Sequence, residues 1–108
     1  MNELREKQCV PCESGTKPFN KDQVNKYIQM LPPEWKSENE KKIKKIFPFE
    51  NFRRGMAFAQ EIAIIAEEEQ HHPDICIHYK NVEVTLTTHN IEGLSMIDFI
   101  MASKIENL

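Results

Sequence analysis

Apolar residues recur along the chain with two different periods, and each period marks an element. Between Lys21 and Leu31 the apolar positions Val24, Tyr27, Ile28 and Leu31 stand at i, i+3, i+4 and i+7, which puts them on one stripe of a short helix. Asn20 is of the type that caps a helix start, and Pro32-Pro33 ends it. From Asn51 onward Phe52, Met56, Ala59, Ile62, Ala63 and Ala66 recur every three or four residues among good helix formers, predicting a helix of about five turns from near Phe52 to Gln70. A third helix, Met96 to about Ile105, would bury Ile97, Ile100, Met101 and Ile105. Ser95 with Asp98 three residues on has the spacing of a capping box at its start.

Elsewhere the period is two. Ile75, Ile77 and Tyr79 alternate with Cys76 and His78, and Val82, Val84 and Leu86 alternate with Glu83, Thr85 and Thr87, which reads as a hairpin with one buried face. Residues 35–49 follow neither period cleanly. The polar stretch Ser37 to Glu40 suits a turn between a first strand holding Trp35 and a second spanning Ile43 to Phe47, and the lysines at 41, 42, 44 and 45 fit a solvated strand face or a guarded sheet edge. The sum is an α+β fold, a four-stranded antiparallel sheet with three helices packed on one face. Residues 1–17 show no apolar period and read as an N-terminal arm.

Length and composition narrow the class. A chain of 108 residues suits a single domain, 1–108, and 40% hydrophobic with 29% charged residues at net charge −3 fits a globular protein with no surface built for nucleic acid. No run is apolar enough for a membrane span or a signal segment, so the expected address is the cytoplasm. Three cysteines, Cys9, Cys12 and Cys76, make an odd number, and reduced thiols are the simpler reading. Cys9-Val10-Pro11-Cys12 has the spacing of a redox pair or half a zinc site, but Pro11 and Gly15 surround it with loop, favouring a structural or incidental role.

All four histidines, His71, His72, His78 and His89, fall between Glu67 and Asp98. Several imidazoles in one site let one act as acid and another as base near neutral pH. Each position also has a plainer reading. His71 suits a helix C-terminus, where the dipole favours a cation, and His72 a loop before Pro73. His78 suits a strand face, Tyr79 core or interface, Trp35 the sheet or a pocket border, and Asp98 a cap. Glu67, Glu68 and Glu69 lie where the dipole disfavours carboxylates, as a solvated patch or with one acid held for another purpose.

The order Glu67, His71-His72-Pro73, Tyr79, His89, Asp98 resembles the pterin-4a-carbinolamine dehydratases. The similarity runs from about Lys17 to the end and includes Pro32 to Trp35, Phe47, Phe49 and Phe52, and the run Thr88 to Asp98. The cysteine-bearing arm is similar to bacterial members. Ile75 and Asn90 depart from the family pattern, which often has an aromatic residue and an acid there, and no motif histidine is lost. The resemblance implies dehydration of a 4a-hydroxytetrahydropterin to the quinonoid dihydropterin, which recycles the pterin. It implies His71, His72 and His89 as catalytic residues, with Glu67, His72 and Asp98 binding substrate. Within that set His71 and His89 form the acid–base pair and His72 orients the pterin. No metal and no cofactor beyond the pterin substrate is implied. The implied assembly is a homodimer or homotetramer with a functional link to an aromatic amino-acid hydroxylase. Mammalian relatives also act as dimerisation cofactors of a homeodomain transcription factor, so an oligomeric protein-binding module is the alternative. A three-histidine zinc site is a weaker third reading, because adjacent His71 and His72 point poorly at one ion.

Overall fold

The computed structural model describes residues 17–108, so the Cys9–Cys12 pair and residues 1–16 of the arm lie outside it. Helix α1 spans Lys21–Ile28. Asn20 caps it by accepting a hydrogen bond from the Gln23 amide at 2.9 Å while the Gln23 side chain accepts from the Asn20 amide. The helix stops short of the expected Leu31. A residue preceding proline is driven out of the helical region, and the chain tightens through i to i−3 bonds, Met30 N–H to Tyr27 O and Leu31 N–H to Ile28 O. Leu31 is buried all the same.

The first hairpin pairs β1 (Lys36–Glu38) with β2 (Lys42–Pro48). Its turn is narrower than the sequence suggests. Ser37 and Glu38 belong to the strand, and Asn39 and Glu40 make the reversal with φ of 52° and 55°, the left-handed backbone that short hairpin loops use. Trp35 lies just ahead of β1 and is buried. Helix α2 (Phe52–Glu69) starts at Asn51, whose side chain accepts from the Arg54 amide at 2.9 Å. The second hairpin pairs β3 (Asp74–Ile77) with β4 (Asn81–Leu86), and helix α3 (Met96–Glu106) follows a single 3₁₀ turn at His89–Ile91.

The four strands form one antiparallel sheet in the order β1-β2-β4-β3. The central ladder runs from Ile43↔Leu86 to Pro48↔Asn81. Val82, Val84 and Leu86 point inward and join Ile62 and Ala66 of α2 and Phe99 and Ile100 of α3 in one core. Gly55 lets α2 approach β4 closely, since a methyl there would stand 3.3 Å from Val82 Cγ2. The stripe of α2 is rotated from the expected one: Gly55, Ala59, Ile62 and Ala66 are buried, whereas Phe52 is 48% exposed and Ala63 is exposed. Tyr79, placed on a strand by its alternation, lies beyond β3 in the turn and is 73% exposed. Helix α3 is buried on nearly every side, Asp98 included.

Lys45 alternates onto the inward face, where its ammonium pairs with Glu106, which also accepts from the Trp35 indole N–H at 2.9 Å. The opposite face of the sheet carries Lys44 between Glu38 (2.6 Å) and Glu83 (3.3 Å). That cation holds the Glu38 carboxyl below its ordinary range, and the two acids raise the Lys44 ammonium. No helix among the described residues is long and apolar enough to cross a membrane.

Candidate active site

The end of α2 decides how two adjacent imidazoles diverge. Gln70 terminates the helix in the left-handed conformation (φ 53°, ψ 41°), and the His71 amide closes the end on Ala66 O at 3.2 Å. Pro73 then commits the chain to β3. The reversal sends His71 inward, where it is 9% exposed, and leaves His72 outside, where Nε2 meets the Glu67 carboxylate one turn back. Glu67 thus has a partner at the helix end that would otherwise disfavour it.

His71 Nε2 lies 2.6 Å from Asp98 Oδ1. Asp98 stands in the first turn of α3, where the helix dipole favours negative charge. Its second oxygen accepts from the Thr88 hydroxyl at 2.7 Å and the Ser95 amide at 3.0 Å. Thr88 and Ser95 are themselves joined hydroxyl to hydroxyl at 2.9 Å. An ionised carboxylate only accepts, so His71 Nε2–H is the donor of this pair and the ring's orientation is fixed from behind. Asp98, which the resemblance assigns to substrate binding, stands behind His71. The side chain is fully buried and both oxygens are engaged, and its hydrogen-bond partners His71 and Thr88, rather than the carboxylate itself, line the cavity.

His89 arrives from the other direction. After β4, Thr88 and Gly93 form an isolated bridge, with Thr88 N–H donating to Gly93 O at 2.8 Å, and the loop they enclose begins with His89. His71, His72 and His89 line one cavity of about 240 Å³ with Gln70, Thr87, Thr88, Asn90 and Ile97. Glu67 does not line it and reaches it through His72. A larger groove of about 560 Å³ beside Trp35, bounded by Ile28, Leu31 and Pro33, has Lys36 as its one charged wall and lacks a histidine or carboxylate. Trp35 therefore borders that groove and packs the sheet, away from the histidines. His78 is exposed beyond β3 and is not part of the cavity. Ser95 and Asp98 form the capping box that their spacing predicts, whereas the role of Thr88 behind Asp98 has no readable signal: one hydroxyl residue ten positions from the acid is too common to read without the loop that brings them together.

Fold and site together define a small α+β domain with a histidine-lined cleft at the junction of a helix end, a strand end and a helix start. The family profile for pterin 4 alpha carbinolamine dehydratase matches residues 17–108, and the chain belongs to that family. A relative in Alkaliphilus metalliredigens, provisionally named a pterin-4-alpha-carbinolamine dehydratase, is 42% identical over 98% of this chain and 96% of its own. One of the same provisional name in Rubrobacter xylanophilus is 39% identical over the whole of both chains. Among solved structures, a transcriptional coactivator/pterin dehydratase from Brucella melitensis superposes with a TM-score of 0.78 at 28% identity, covering 84% of this chain and 97% of that one.

Proposed function

We propose that the chain is a hydro-lyase that dehydrates a 4a-hydroxytetrahydropterin to the quinonoid dihydropterin. The observation that carries this reading is the convergence of His71, His72 and His89 on one cavity, with His71 backed by the buried Asp98. The lone pair of the adjacent ring nitrogen drives cleavage of the C4a–O bond. The leaving hydroxide takes a proton from one imidazole and departs as water, and a ring nitrogen of the product gives a proton to the other. His71 and His89 are the acid–base pair. With Nε2 of His71 committed to Asp98, its exchange with substrate falls to Nδ1. His72 orients the pterin, and Glu67 holds His72 while offering a carboxylate oxygen to the pterin's polar edge. One proton comes from a side chain and the other from the pterin, which is the substrate, so the reaction as written asks for no cofactor.

The wider reading follows from this chemistry and the resemblance. The enzyme recycles a pterin for an aromatic amino-acid hydroxylase, acts in the cytoplasm, and assembles as a homo-oligomer. The test is a dehydratase assay on a synthetic 4a-hydroxytetrahydropterin in a buffer that does not itself catalyse the loss of water. His71→Ala and His89→Ala should each lower turnover by ~10²–10⁴-fold, the usual worth of a general acid or base. His72→Ala should act mainly on KM. Near-normal turnover in both of the first two variants would remove the acid–base assignment.

A further inference from the structure

On the sheet face away from the helices, Cys76 of β3 stands directly across from Glu83 of β4, and His78 follows two residues on. The thiol, an imidazole nitrogen and a carboxylate oxygen of these three residues all lie within 4.8 Å of one another, with Cys76 Sγ 3.4 Å from His78 Nε2. Metal–ligand lengths of about 2.3 Å to sulfur and about 2.0–2.1 Å to imidazole, at a tetrahedral angle, put those two donor atoms about 3.6 Å apart. The observed separation is therefore close to that of two ligands on one tetrahedral ion. A hairpin supplies this geometry cheaply: direct cross-strand neighbours have Cβ atoms about 5 Å apart, and a turn residue can fold back over them.

We propose that Cys76, His78 and Glu83 form a binding site for a divalent transition ion, with Zn²⁺ the best match to one thiolate, one imidazole and one carboxylate. The fourth position stays open to solvent, because Cys76 and His78 are exposed. Glu83 gives one carboxylate oxygen to Lys44 at 3.3 Å and the other to the metal. Lys44 is thus the built-in competitor, a cation that lies beside the site and opposes a second one. The ion would tie edge strand β3 to β4. The site lies apart from the histidine cleft: Glu83 is four residues upstream of Thr87, roughly 13 Å along an extended strand.

The test uses the full chain carrying Cys9→Ser and Cys12→Ser, so that Cys76 is its sole thiol, titrated with Co²⁺ as a spectroscopic stand-in for Zn²⁺. One equivalent should bind with a thiolate-to-cobalt charge-transfer band and tetrahedral d–d absorption, and Zn²⁺ should abolish both. Cys76→Ser should remove the charge-transfer band. His78→Ala and Glu83→Gln should each weaken binding by at least ~10-fold, the usual scale for damage to a metal site, and Lys44→Met should strengthen it. All of these side chains lie at the surface, and circular dichroism of each variant checks the fold. Absence of the band at millimolar Co²⁺, its survival in Cys76→Ser, or equal affinity in His78→Ala would each overturn the proposal. Dehydratase turnover is a separate readout, so failure here leaves the reading of the cleft untouched.

Discussion

The contact that most shapes the chemistry is a single hydrogen bond, His71 Nε2 to Asp98 Oδ1. A buried carboxylate that already accepts from Thr88 and Ser95 selects one tautomer of the imidazole, and so decides which nitrogen faces the cleft. Asp98→Asn keeps the shape and removes that selection, because an amide can present either a donor or an acceptor to the ring. Turnover should fall roughly 10²-fold, at the low end of the acid–base range, while KM changes little. Nitrogen-15 NMR of His71 should report a changed tautomer ratio. An unchanged ratio with lower activity would make Asp98 a purely structural residue. The sequence made the three histidines and the acid legible through their order and spacing, but not the direction of the acid. Asp98 reads equally as a cap and as a ligand until the 88–93 loop brings Thr88 onto it, and that contact follows no period.

At the level of elements, periodicity worked where one face meets the core and failed where chain ends and close approaches decide. β4 follows its apolar alternation, whereas Ile77 is 37% exposed, Tyr79 leaves β3 for the turn and α3 is buried on nearly every side. Phe52 and Ala63 fall outside the buried stripe of α2 because that stripe begins at Gly55 with its approach to Val82. Lys45 broke the pattern of β2 because its inward position is matched by Glu106, a partner at the far end of the chain. Glu106→Ala should leave this ammonium with the more distant Glu34 at 3.9 Å, take the acceptor from the Trp35 indole N–H, and cost about 2 kcal/mol, below the ~3–5 kcal/mol of a fully buried pair since Glu34 and some solvent remain; chemical denaturation measures it. Gly93 is tied as tightly by shape. A methyl there would lie 2.6 Å from Pro18 Cβ, in a region pinned by Phe19 N–H to Leu94 O at 2.8 Å. Gly93→Ala should therefore destabilise by ~1–3 kcal/mol, as overpacking does, and should lower the denaturation midpoint. The exposed Glu38–Lys44 pair has a pH signature of definite sign. The depressed Glu38 contributes above the ordinary carboxylate range and loses its contribution as pH falls through its lowered value. Lys44→Met should flatten that acid limb in a plot of denaturation midpoint against pH.

For the whole molecule, the sheet ends at β1 and β3, whose outer edges pair with no other strand among the described residues, and Ile64 and Phe52 on α2 are 60% and 48% exposed. Unpaired edges and uncovered apolar residues are features that assembly removes, so sedimentation at micromolar concentration should show a dimer or larger species; a monomer at all concentrations would contradict the proposed oligomer. The strand order has a further effect, on the route to the native state. The central ladder from Ile43↔Leu86 to Pro48↔Asn81 encloses residues 49–80, so β2 and β4 meet only after a long loop closes, a non-local step that slows folding. His71 and His72 lie inside that loop and His89 just beyond its closing strand. The cleft is lined by a short stretch of chain, Gln70 to Ile97, but β4, which carries the chain across it, is held on its other side by the β2 ladder, so during refolding catalytic competence should appear with that slow-forming ladder rather than with the early rise of helix.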